Sequence, residues 1–121
     1  MPKDTKERVI MNTSEQLEAV ELSIEAATKA IKKRSILVEL TADTKFEEII
    51  INGYFKEEAS RLVLLRATPT GRDNLAEIDD MINAIGNVRQ YLHTIMQLGA
   101  QAEKAMAEAE ITREELLAED L

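Results

Sequence analysis

No cysteine occurs in the 121 residues, which excludes disulfides, thiolate metal centres and cysteine nucleophiles. A reducing compartment is compatible with that absence. Aromatics are almost as scarce: 3% of the chain, with no Trp, two Tyr and two Phe. A core must therefore be built from Leu, Ile, Val, Ala and Met, the material of helical bundles. Four Gly and two Pro leave little turn chemistry for a β-rich domain. Long apolar runs are missing too. No segment approaches the roughly 18 consecutive apolar residues of a membrane span. The N-terminal stretch with Lys3, Asp4, Lys6, Glu7 and Arg8 holds no apolar core of a secretory signal. Positive charge is also in deficit, 15 Lys and Arg against 23 Asp and Glu, for a net charge of −8. A general DNA- or RNA-binding role is disfavoured, because such affinity grows from Lys and Arg neutralising phosphates.

What the chain does have is amphipathic periodicity, with 45% hydrophobic and 31% charged residues. Leu75, Ile78, Ile82, Ile85, Arg89, Leu92, Met96 and Gly99 fall at alternating steps of three and four, one seam along a long helix. These eight are the candidate interface residues. Leu17, Val20, Ile24, Ala27 and Ile31 repeat the spacing upstream, with Glu15, Glu18, Glu21 and Glu25 on the other faces. Thr13 or Ser14 is the expected cap of that first helix, and the late Lys29, Lys32, Lys33 and Arg34 match its dipole. Ile36 to Leu40 is β-prone, but the last turn of the first helix is favoured. Thr44 with Glu47 has capping-box spacing, so a second helix is expected from Lys45 towards Arg66 with Phe46, Ile49, Ile50, Phe55, Ala59, Leu62 and Val63 on its apolar side. Ile49 to Phe55 also reads as a strand entering an Asn52-Gly53 turn. Pro69 and Gly71 end that element, and Asp73 is the candidate cap for the ladder helix. That helix is expected to reach about Glu110, roughly 54 Å at 1.5 Å per residue. Thr112 with Glu115 is placed to open a short last helix carrying Leu116, Leu117 and Leu121.

The expected fold is all-α, a helical hairpin or three-helix bundle over residues 14–40, 45–66 and 73–110 with one long C-terminal helix. Residues 1–12 form an N-terminal arm with a Val9-Ile10-Met11 cluster, 13–110 the bundle, and 111–121 an acidic tail or short helix. Between 103 and 121 lie seven acids against Lys104 and Arg113.

No catalytic, cofactor-binding or metal-binding set emerges. His93 lies on a polar stripe with Gln90 and Gln97, and Gln90 stands where a Glu-x-x-His metal motif needs Glu. A surface or interface histidine is the expectation. The acid pairs Glu47-Glu48, Glu57-Glu58 and Glu114-Glu115 point about 100° apart on a helix and read as solvated faces. Thr70-Gly71-Arg72-Asp73 has neither a phosphate-cradling nor a dinucleotide pattern and reads as turn plus cap. The Lys29 to Arg34 cluster reads as a solvated helix end. Arg89, flanked by Asn83 and Asn87, interrupts the seam, either as a register-setting group or as a residue reaching solvent. Gly86 and Gly99 weaken the helix by about 1 kcal/mol each relative to Ala, which close helix crossings at both would offset.

The run Tyr54-Phe55-Lys56-Glu57-Glu58-Ala59, then Arg61-Leu62 and Leu65-Arg66, followed by Tyr91-Leu92, Ile95, Gly99 and Ala102, resembles small helical proteins of tailed bacteriophages. The resemblance spans roughly residues 46–115 and supplies no catalytic residues. It implies a virion or accessory protein located in the host cytoplasm or the virion. The expected function is non-enzymatic: a helical protein that forms a homo-oligomer or docks on a larger protein complex, with no membrane, cofactor or small-molecule substrate. The alternative is an acidic inhibitor that blocks a nucleic-acid-binding host enzyme, mimicking phosphates with Glu103, Glu108, Glu110, Glu114, Glu115, Glu119 and Asp120.

Overall fold

The structure is a computed structural model that describes residues 12–119. All of the expected arm except Asn12, and Asp120 and Leu121 of the tail, lie outside the described residues. The chain is all-α, with no strand among the described residues. Helix α1 spans Thr13–Ala42, α2 is the single turn Thr44–Phe46, and a π-helix, π1, spans Glu47–Glu58. Helices α3 (Ala59–Leu65) and α4 (Pro69–Arg72) lead into α5, the 45-residue helix Leu75–Glu119.

Each helix start lies one or two residues from the expected one, and the chemistry explains why. Asn12 caps α1: its carboxamide oxygen accepts from the Glu15 amide at 2.8 Å while its Nδ2 donates to the Glu15 carboxylate. Thr13 and Ser14 are already helical. Asp43, not Thr44, caps the next segment by accepting from the Lys45 and Phe46 amides at 2.8 and 3.2 Å. Asp73 closes α4, and α5 opens after Asn74, whose carbonyl accepts from the Ile78 amide. At the first two starts an Asn or Asp stood beside the expected Thr and is the better acceptor; at the third the Asn74 side chain donates to the Thr70 carbonyl. The β-prone Ile36 to Leu40 stretch is helical, within α1. Because α1 runs on to Ala42, no basic residue falls in its last turn, so the Lys29 to Arg34 cluster does not complement the helix end. Lys29 instead pairs with Glu25 at 3.7 Å. At the other end of the chain, Thr112 opens no new helix. Its hydroxyl donates to the Glu108 carbonyl one turn back, and α5 continues unbroken to Glu119.

The ambiguous Ile49 to Phe55 run is neither strand nor α-helix. π1 winds wider than an α-helix, with amides bonding five residues back, although its first amide, Glu47, still bonds the Asp43 carbonyl four residues back. Such winding is rare overall and frequent at functional sites. Gly53 suits it, since a Cβ there would lie 3.0 Å from the Glu48 carbonyl oxygen five residues earlier.

The chain divides into two compact units, one drawn from Met1–Lys33 and Leu98–Leu121, the other formed by Arg34–Gln97. In the first, the hairpin unit, α1 and α5 run antiparallel. Ala27, Ala102 and Leu116 are buried, as is Gly99, and Glu21 pairs with Arg113 at 3.3 Å. In the second, the π unit, Leu62, Ile78 and Ile85 form the buried cluster, with Tyr54, Phe55, Ala59, Leu65 and Ile82 packed against it. The bend between α3 and α4 is tight. Thr68 donates its hydroxyl to the Leu65 carbonyl at 2.7 Å and accepts from the Gly71 amide at 3.0 Å. A Cβ on Gly71 would sit 1.7 Å from that same Leu65 oxygen. Arg66 then reaches Asp79 at 2.9 Å, tying the end of α3 to the start of α5.

Candidate ligand pocket and uncovered apolar face

The heptad ladder is occupied inside its own chain at the N-terminal end of α5. Ile78 and Ile85 are buried and Ile82 half-buried against the π1 and α3 side chains. Leu92 and Met96 are half-buried and Gly99 is buried, whereas Leu75 is exposed. Arg89 is exposed and therefore not a buried register group, and Asn83 and Asn87 beside it are exposed as well. Arg89 still lies on the seam, about 20° from Ile78 at 100° per residue, but there the seam borders an open pocket that Arg89 lines with Leu92 and Met96. Past Leu92 the covered face has moved from the side of Arg89 to that of Ile95, which is buried. Gly86 marks no helix crossing, for nothing lies within 4 Å of a Cβ built there.

A different face of α5 is left open. Met81, Ala84, Val88 and Tyr91 also follow steps of three, four and three, and all four are exposed, Tyr91 to 55%. The π unit is apolar elsewhere on its surface too. It carries ten of the fourteen large hydrophobic side chains that stand exposed among the described residues, Ile49 and Leu64 the most open of them.

Three segments of the π unit meet at a cavity of about 330 Å³. Helix α1 contributes Leu37 and Thr41, π1 contributes Ile51, Phe55 and Lys56, and α5 contributes Arg89, Leu92, His93 and Met96. The lining is mostly aliphatic and aromatic, its polar groups are Thr41, Lys56, Arg89 and His93, and no carboxylate is among them. Arg89 and His93 also border a second, more polar recess with Gly86 and Gln90. Among the described residues neither Lys56 nor Arg89 has an ion-pair partner, while Arg61, Arg66 and Arg113 all do.

One carboxylate of the π unit is electrostatically tuned. Arg61 donates two hydrogen bonds to Glu58 at the π1–α3 junction. Those bonds hold the Glu58 carboxyl below its ordinary value and lift the guanidinium above its own. The pairs Glu47-Glu48 and Glu114-Glu115 are exposed, and the Thr70 to Asp73 turn belongs to α4 and its cap. Among the described residues no group of three or more His, Asp or Glu side chains gathers at metal-binding distance. No helix there is long and apolar enough to cross a membrane.

Fold and site together define the class: an all-α helical bundle with one long C-terminal helix, an apolar pocket with a basic rim, and an open apolar face. No family model matches the chain, and neither a curated protein nor a solved structure matches it.

Sequence reasoning singled out His93, as a surface or interface histidine, and Arg89, as either a register group or a residue reaching solvent, but joined neither to a pocket. The pocket was missed because its wall comes from segments spread over nearly sixty positions, Leu37 to Met96. The one available signal was local, Lys56 following Phe55 and His93 following Leu92, a basic residue directly after an apolar one on two helices.

Proposed function

We propose that this chain is a non-enzymatic assembly protein, a virion or accessory component of a tailed bacteriophage, that pairs with a second copy of itself or docks on a larger complex. The observation that carries the reading is the open line Met81, Ala84, Val88 and Tyr91. It has the spacing of a helix-pairing seam on a rigid helix whose neighbouring face is already filled. A two-fold axis near Val88 would lay the line against its own copy, the commonest arrangement for homo-oligomers. Apolar side chains in that setting are worth about 25 cal/mol per Å² removed from water. The resemblance to phage helical proteins supports the biological setting.

Light scattering across a dilution series tests the proposal. The expected result is a concentration-dependent oligomer that a Met81→Glu/Val88→Glu variant converts to monomer with its helicity intact. A wild-type protein that stays monomeric at every concentration removes self-assembly. It moves the weight to the acidic-inhibitor reading, which is supported by the exposed carboxylates Glu108, Glu110, Glu114, Glu115 and Glu119 along the end of α5.

A further inference from the structure

The pocket in the π unit stands apart from the assembly face and does not depend on it. Its walls, Leu37, Ile51, Phe55, Leu92 and Met96, offer nothing to a polar molecule. Its rim offers two cations, Lys56 and Arg89, in a chain whose net charge is −8. Lys56 and Arg89 have no ion-pair partner among the described residues. Lys32, Lys33, Lys45, Arg72 and Lys104 also stand outside ion pairs there, so what distinguishes Lys56 and Arg89 is that they meet at one apolar cavity. No carboxylate among the described residues lines that cavity.

We infer that this pocket binds a medium-chain aliphatic carboxylate as a ligand, with the tail among the side chains of π1 and α5 and the head group between Lys56 and Arg89. The planar guanidinium can offer a carboxylate two parallel hydrogen bonds, and the ammonium adds a point charge. His93, on the same rim, is placed to add a ring N–H. A volume of about 330 Å³ favours a chain of medium length over a long one. The cavity lies at the small end of ligand sites, which run from about 300 to 1,000 Å³. The wide winding of π1 is what brings Ile51, Phe55 and Lys56 to this wall together, in keeping with the association of π-turns with ligand sites.

The test is a methyl-detected NMR titration of the full chain with three probes: octanoate, 1-octanol and acetate. Octanoate is expected to shift the Ile51, Leu92 and Met96 methyls saturably, with a Kd on the order of 0.1 mM for a ligand of this size. The alcohol, with tail but no charge, should bind at least tenfold more weakly. Acetate, with charge but no tail, should leave the methyls unmoved. A Lys56→Gln/Arg89→Gln variant replaces two exposed side chains and should lose tenfold or more in octanoate affinity. A Lys32→Gln/Lys33→Gln variant changes net charge equally at residues that do not line the pocket and should bind as wild type does. Equal binding of acid and alcohol, equal weakening by both double variants, or no methyl shift with octanoate would each overturn the inference. The readout is independent of oligomeric state, so failure of the assembly reading leaves this result interpretable.

Discussion

In the hairpin unit small residues, Ala27, Gly99 and Ala102, are buried with one large side chain, Leu116, whereas in the π unit the buried side chains are Leu62, Ile78 and Ile85 backed by Tyr54 and Phe55. All four aromatics of the chain lie between Phe46 and Tyr91, within the π unit. The first solution lets two backbones approach and spreads many weak contacts along two long helices. The second concentrates apolar area in a few large side chains and needs a bend, a π-helix and a bare glycine to bring them together. Burial per residue is therefore uneven. Substitutions in the π unit should have large, site-specific effects, and those in the hairpin unit should be small and graded.

Leu62→Ala should have the largest effect, about 2–5 kcal/mol of stability by urea denaturation, since it empties the best-buried position, 1% exposed. Ala27→Gly in the hairpin unit should lose only about 1 kcal/mol, chiefly helix propensity. Equal losses at the two sites would break the contrast. Next comes Gly71→Ala. Its methyl would collide with the Leu65 carbonyl, and relieving the clash should lose about 1–3 kcal/mol. Gly86→Ala sharpens the point by reversing the sign: its new Cβ meets nothing, so the helix should gain up to about 1 kcal/mol in the same assay.

The smallest effect concerns Glu58. Hydrogen bonds from Arg61 depress its folded-state pKa below the unfolded value, so its contribution to stability is present above the unfolded value and is lost as pH falls through the lowered one. Carbon-detected NMR should show the Glu58 carboxyl titrating below the ordinary glutamate range, and Arg61→Gln should restore it. A Glu58 that titrates normally in the wild type would remove the pair from the account.

Much of the fold was legible because it rests on local periodicity. Ile78, Ile82 and Ile85 are three and four residues apart and face the core, and Leu17, Val20, Ile24, Ala27 and Ile31 are half-buried or buried in the same way. The break falls just before Pro69, which opens α4 together with Gly71 instead of ending α3. The caps were misplaced because Asn12 and Asp43 each precede a Thr that also caps well, and Asn74 follows the equally plausible Asp73. The π-helix was not legible. Ile49, Ile50, Ile51 and Phe55 satisfy strand and helix alternately, and what distinguishes the wider winding is tertiary packing rather than spacing. For Arg89 the spacing left register and solvent both open, and the structure has it exposed at the pocket. The pocket was hidden for a different reason, since no window of sequence contains Leu37, Phe55 and Arg89 together.

The five-residue bonding of π1 also fixes a phase. Glu47–Glu58 separates Phe46 from Leu62, and the winding between them determines which way Leu62 points when it arrives at Ile78. Were those twelve residues to rewind as α-helix, every residue of slippage would turn α3 by about 100°. Leu62 would leave the core, and Val63 or Leu64, now among the most exposed side chains of the unit, would take its bearing. The segment thus acts as the timing element of the π unit. A one-residue deletion within it should be felt at Leu62 and Arg66, well beyond the site of the cut.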